Sequence, residues 1–207
     1  MTEKKLKICG YYTPDYIQYV RSFLNTYKGS GDIWFQPVKY LSREKATSIK
    51  PKMFEKCICK DYEYYVFADV DLLFKSNFCF TELCRPDSIG IIFRDRFSYP
   101  QRSVNASIIT VPKNLVNFIH EWVKINNNKI IGNTKFDDIA PTNISNNYYW
   151  DQVSLNYVFR KYKHHFIDEK IYLAQRDNEN VKILSPHAYN KNRKQQMYNS
   201  FLNNVLL

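Results

Sequence analysis

Short apolar runs alternate with amphipathic stretches along this chain, and the alternation predicts its elements. Leu6 to Tyr11 reads as a first strand. Thr13-Pro14-Asp15 then reads as a helix start, with Thr as N-cap, Pro at the first helical position and Asp near the positive end of the dipole. Ile17, Val20, Leu24 and Tyr27 follow at helical spacing, and Gly29 fits the stop. Ile33 to Val38 is a second strand, and Lys50 to Cys59 a helix with Met53, Phe54, Cys57 and Ile58 facing inward. Tyr64 to Ala68 is apolar without a break, the pattern of a strand buried on both faces. Ile89 to Phe93 and Ser107 to Val111 are of the same kind. Leu115, Phe118, Ile119 and Trp122 mark an amphipathic helix, and Leu155, Val158, Phe159 and Tyr162 mark another over Val153 to Tyr162. Between them residues 126–149 are polar and Asn-rich, which predicts a long surface loop or mobile flap. Short strands near Phe166 and over Val181–Leu184 close the pattern, and a basic segment follows. The order predicts an α/β sandwich with a mostly parallel central sheet flanked by helices. No repeat and no Pro-, Gly- or Ser-rich linker divides it, so residues 1–207 are expected to form one domain.

Composition narrows the class. The 207 residues are 44% apolar and 16% aromatic, enough for a substantial core and too much for a disordered chain. No apolar run approaches the ~18 residues of a membrane span. Met1-Thr2-Glu3-Lys4-Lys5 is charged with no apolar stretch behind it, so no secretory signal is expected. The five cysteines include no C-x-x-C pair and read as reduced thiols. Without a signal, the acceptor patterns at Asn105-Ala106-Ser107 and Asn143-Ile144-Ser145 carry little weight. The expectation is a cytoplasmic protein, in host cytoplasm if viral. The net charge of +10 admits nucleic acid, an anionic membrane surface or a phosphorylated ligand. A bias toward Lys, Asn, Ile and Tyr, with only five Gly, matches translation of an AT-rich gene and accounts for part of that charge.

The sharpest chemical feature is Asp69-Val70-Asp71, directly behind the apolar run. In an open α/β sheet ligands bind beyond the carboxyl ends of the strands. Two carboxylates placed there repel one another, and a hard cation such as Mn²⁺ or Mg²⁺ relieves that while keeping positions open for phosphate oxygens. The plainer reading is a polar strand end whose Asp residues are solvated or paired with Lys.

With its apolar strand, D-x-D and following Leu72-Leu73, the segment from Tyr64 to Phe74 resembles the GT-A glycosyltransferases, including small single-domain forms of the kind found in bacteria and large DNA viruses. Further segments agree in order. Cys9-Gly10-Tyr11-Tyr12-Thr13 sits where the first strand meets the nucleotide base. Lys50-Pro51-Lys52 opens a helix ahead of the D-x-D strand, where a basic residue of the family often contacts the donor. Val104-Asn105-Ala106-Ser107 is similar to the strand beside the donor sugar, with Ser107 in place of the usual Gly. Trp150-Asp151-Gln152 is similar to the Asp-Gln helix start, and Leu184-Ser185-Pro186-His187 to the segment whose His is a third metal ligand. The Lys-Pro-Trp usual after that His is absent, and Lys191, Arg193 and Lys194 are candidates to replace it at a diphosphate.

The resemblance implies a metal-dependent transfer of a sugar from a nucleotide-sugar, a UDP-sugar foremost, to a hydroxyl acceptor such as a glycan. Asp69, Asp71 and His187 are the implied metal ligands. Asp151 and Gln152 are the catalytic candidates: Asp151 as base in an inverting mechanism, either residue at the sugar's other face in a retaining one. Tyr11, Tyr12, Thr13, Lys50, Lys52, Ala68, Val70, Arg94, Asp95, Asn105, Ala106, Lys191 and Arg193 are expected around the donor. Each has a plainer alternative: Tyr11 and Tyr12 as strand-end aromatics, Asp151 as a helix cap, Arg94 and Asp95 as surface ion pairs, the basic tail as a solvated run. His120, His164 and His165 read as ordinary. Two other functions compete. A nucleotidyltransferase also pairs Asp residues on a metal-nucleotide, but no Gly-Ser motif precedes them. A basic nucleic-acid-binding module is favoured by charge and Tyr content, but no binding motif is present, and no nucleic-acid partner is expected.

Overall fold

The computed structural model describes residues 5–41, 43–75, 78–94, 104–128, 130–131, 134–135, 150–173 and 180–185. The strands are β1 (Leu6–Tyr12), β2 (Asp32–Pro37), β3 (Tyr64–Ala68), β4 (Leu73–Phe74), β5 (Ile89–Phe93), β6 (Val104–Pro112), β7 (Ile130–Ile131), β8 (Thr134–Lys135), β9 (His164–Asp168) and β10 (Ile183–Leu184). The α-helices are α1 (Ile17–Thr26), α2 (Arg43–Ser48), α3 (Lys50–Glu55), α4 (Asn117–Asn128), α5 (Trp150–Val158) and α6 (Glu169–Tyr172). Six strands form the central sheet in the order β2-β1-β3-β6-β5-β9. Only β6 runs against the rest, pairing antiparallel with β3 and β5, while β1–β2, β1–β3 and β5–β9 are parallel. The mostly parallel α/β sandwich expected from the alternation is the observed one. The carboxyl ends of β1, β3 and β5 therefore share one edge with the start of β6.

Each face of the sheet has its own core. Val66, Ile92 and Ile108 face Phe23 and Tyr27 of the α1 region, the 3-10 turn Phe80–Leu83, and Phe74 and Ile183 of the small β4–β10 ribbon. Phe67, Ile91 and Ile109 face Phe54 near α3, Phe118, Ile119 and Trp122 of α4, and Leu155 and Val158 of α5. The alternation of strand side chains assigns neighbouring residues of β3 to opposite cores, which is why the strand is apolar throughout.

Several local expectations change. Thr13 does not cap a helix; its hydroxyl donates to Asp15 Oδ1 at 2.6 Å, and Pro14 opens a 3-10 turn ahead of α1. On α1, Val20 is buried but Ile17 and Leu24 are exposed. Phe23 takes the inward position, its ring 4.6 Å from Phe74 and 4.8 Å from Phe35, so aromatic packing decides the helix rotation. The helix opening at Lys50 stops at Glu55 as α3, leaving Cys57 and Ile58 in the following turn. The Val181–Leu184 segment pairs with β4 in the separate ribbon and does not join the sheet. The Asn-rich segment expected as a loop begins inside α4: Asn126 is buried and donates from Nδ2 to the Ser48 carbonyl at 2.7 Å. Ile130–Ile131 and Thr134–Lys135 then form the β7–β8 pair, and 129, 132–133 and 136–149 lie outside the described residues.

Candidate active site

Asp69 is the first residue past β3, and its N–H donates to the Ser107 carbonyl at 2.9 Å, so β6 fixes its backbone. Asp71 follows, buried, with Val70 and Ala68 buried beside it. Gly10 lets β1 come this close: a Cβ there would lie 2.7 Å from the Ala68 carbonyl oxygen and 2.9 Å from the Phe35 ring. The register of β6 against β5 slips between Ile91 and Ile92, which pair with Ile109 and Asn105. Ala106 and Ser107 sit in that irregular stretch, and Asn105 Oδ1 accepts from the Ser107 N–H at 2.8 Å.

Lys50 closes the arrangement. It is the first residue of α3, where an ammonium opposes the helix dipole. Its Nζ lies 2.9 Å from Asp69 Oδ1, 3.3 Å from Asp151 Oδ2, and donates to the Ala106 carbonyl at 3.2 Å. It also lies 5.3 Å from the centre of the Phe67 ring. The Lys50 and Asp151 side chains are only 8% and 1% exposed, against 19% for Asp69. Burial alone would push the Lys50 ammonium down, but Asp69 and then Asp151 outweigh it and hold its pKa well above the ordinary lysine value. Burial raises the Asp151 carboxyl, Lys50 opposes that shift and Asp69 adds to it. Beyond its ion pair, neither Asp151 oxygen has a hydrogen-bond partner among the described residues. Buried carboxylate oxygens are costly to leave so.

The backbone of Asp151 is held firmly. Trp122 Nε1 donates to the Asp151 carbonyl at 3.2 Å and to Ser154 Oγ at 2.9 Å. Ser154 Oγ donates to the Asp151 carbonyl at 3.1 Å and to Asn126 Oδ1 at 3.3 Å. Through Asn126 and Ser48 this network ties α2, α4 and α5 together. Sequence reading missed Trp122, Asn126 and Ser154 as supports. One signal was available: Ser154, three residues after Asp151, lies on the same helix face.

Other candidates distribute unevenly. Tyr11 is committed: its hydroxyl donates to the Ala46 carbonyl, its ring lies 6.1 Å from that of Phe67, and burial raises its pKa. Tyr12 and Gln152 are half-buried, and Thr13 is buried. Lys52, two residues along α3 from Lys50, is exposed. Arg94 at the end of β5 is drawn to Glu169 of α6, Nε to Oε1 2.8 Å. Asp95, His187, Lys191 and Arg193 lie outside the described residues. Among the described residues no group of three His, Cys, Asp or Glu side chains is placed to hold a metal ion. The pair Asp69 and Asp71 still fits the donor chemistry of Mg²⁺ or Mn²⁺, which take one or two carboxylates and complete their shell with phosphate oxygens and water.

The fold is an α/β sandwich with a mostly parallel central sheet, and the candidate site lies at the carboxyl edge of that sheet. A crystal structure of a glycosyltransferase involved in the glycosylation of the major capsid of PBCV-1 superposes with a TM-score of 0.69, covering 94% of this chain and 99% of that one at 11% identity. No protein-family model matches the chain, and no curated protein matches it in sequence. Among the described residues no helix is long and apolar enough to cross a membrane.

Proposed function

We propose that this protein is a GT-A type glycosyltransferase that moves a sugar from a nucleotide-sugar, a UDP-sugar foremost, to a hydroxyl of a glycan acceptor. The observation that carries the reading is the meeting of Asp69, from the end of the central strand, with Asp151, from the start of α5, across the buried ammonium of Lys50. The shared fold supports it. Asp69 and Asp71 are the residues that would hold Mn²⁺ or Mg²⁺, which supplies Lewis-acid stabilisation to a departing diphosphate. Ala68 and Val70 flank Asp69 in the chain, and Asn105 and Ala106 lie on β6 just before Ser107, whose carbonyl accepts from the Asp69 N–H. Asp151 has the attributes of a group that works on a sugar or on an acceptor proton: a fixed backbone, a buried side chain and a raised pKa.

Calorimetry with UDP and UDP-sugars tests the donor and the metal together. Donor binding is expected to need Mn²⁺ or Mg²⁺, and equal affinity in a chelator removes the metal from the reading. Asp151→Asn is expected to lower transfer, or slow donor hydrolysis, by about 10²-fold with donor affinity near that of the parent. Unchanged turnover in that variant returns Asp151 to a structural role.

A further inference from the structure

Asp69, Asp71 and Asp151 with Lys50 leave a formal charge of −2 at one end of the sheet. Lys50 is the cation inside this group. It enters from α3 on a side chain that is nearly all buried, and its partners are fixed in number: Asp69 Oδ1 at 2.9 Å, the Ala106 carbonyl at 3.2 Å and Asp151 Oδ2 at 3.3 Å. The ammonium thus sits closest to a carboxylate that the proposed reading assigns to a divalent ion. A doubly charged ion on Asp69 and an ammonium on the same carboxylate repel each other strongly where water is scarce. Asp151, whose Oδ2 is 3.3 Å from the ammonium, offers it a second seat within the same side chain's reach.

From this geometry we infer that Lys50 is a tethered counter-ion that competes with a divalent cation for Asp69, and that cation binding turns the ammonium toward Asp151. The inference rests on the proposed reading of Asp69 as a metal ligand. It makes Lys50 a positioning residue with two jobs. The ammonium keeps Asp69 and Asp151 compatible before a cation arrives. Once displaced, it neutralises Asp151 and couples the ion's arrival to the carboxylate on α5. A purely structural lysine would also hold the cluster together, but its removal would not tighten metal binding.

The test is titration with Mn²⁺ alone, the free ion followed by electron paramagnetic resonance. The proteins are the parent, Lys50→Met, Asp151→Asn and the double variant. Removing the ammonium is expected to tighten Mn²⁺ binding by about tenfold or more, because one unit charge beside the ion is lost. A gain at least as large is expected on going from Asp151→Asn to the double variant, because in the Asp151→Asn background the displaced ammonium has lost its second seat. That second comparison carries the test where Lys50→Met fails to fold, since the double variant removes the most deeply buried carboxylate together with its ammonium. Equal or weaker binding without Lys50 in both backgrounds overturns the inference while leaving Asp69 as a metal ligand. Absence of Mn²⁺ binding in all four proteins overturns it too. The metal requirement of donor binding is then judged separately, by the calorimetry above.

Discussion

Two polar clusters are buried against the same sheet, and they are built on opposite plans. On the α1 face, His165, Gly90 and Thr110 stand in one row across β9, β5 and β6. Thr110 Oγ1 donates to the Leu83 carbonyl at 3.1 Å and accepts from the Gly90 N–H at 3.2 Å. His165 Nε2 lies 3.0 Å from the same carbonyl, and its Nδ1 lies 3.0 Å from Ser88 Oγ. A carbonyl only accepts, so Nε2 carries the proton and Nδ1 accepts from the serine hydroxyl. The cluster is neutral and closed. At the carboxyl edge the ionisable groups Lys50, Asp69 and Asp151 meet, and among the described residues Asp151's oxygens have only the ion pair to Lys50. The first plan fixes an edge strand at little cost. The second is expensive to bury and is stable only while each charge keeps its partner. The contrast locates the part of the molecule shaped by something other than folding.

The largest effect should come from unbalancing the charged cluster. Lys50→Met leaves two carboxylates facing one another with Asp151 fully buried, so it should cost about 3–5 kcal/mol in chemical denaturation. Adding Asp151→Asn should recover part of that loss. A smaller cost attends crowding the neutral cluster. A Cβ on Gly90 would run into Thr110 Oγ1 and approach His165 Nε2 to 2.8 Å. Gly90→Ala should therefore cost about 1–3 kcal/mol, with metal and donor binding untouched. Loss of donor binding in that variant would erase the division between the two clusters.

The smallest effect is a pH dependence. Burial, which the Leu83 carbonyl opposes, holds the His165 pKa below its ordinary 6.5. The folded protein thus prefers the neutral ring more than the unfolded chain does. The resulting stability is fully present above the unfolded pKa and is lost as pH falls through the folded one. Denaturation midpoints should drop on acidification from the ordinary histidine range, and His165→Gln should flatten that dependence. A parent protein whose stability is level across that range would show that the neutral tautomer is not what the fold selects.

Much of the site was legible because its residues are ordered by local rules. The apolar run from Tyr64 to Ala68 predicts a buried strand, and the carboxylates directly after it must lie at that strand's end. Lys50 and Asp151 were legible as residues at helix starts, from their motifs. Their meeting was not, since 101 residues separate them and neither motif mentions the other. Tyr11 was legible as a strand-end aromatic, but the carbonyl of α2 that accepts from its hydroxyl was not. Asn126 is indistinguishable in sequence from the asparagines around it, yet it alone of that tract's opening residues is buried and bridges two helices.

Taken by itself, the sequence determined most strands of the central sheet, the longer helices, their order and the end of β3 at which Asp69 and Asp71 lie. Periodicity, strand alternation and turn residues act between neighbours, and a reader needs nothing more than neighbours to see them. It did not determine the rotation of α1, the reversal of β6, the separate ribbon of β4 and β10, or the partners of Lys50. Those depend on which distant surfaces fill the same space. Phe23 outcompetes Ile17 and Leu24 because Phe35 and Phe74 wait opposite it. Lys50 is stable in its buried place because β3, β6 and α5 bring two carboxylates and a carbonyl to one point. Charges so far apart in the chain acquire a common energy only once the fold has excluded the water between them.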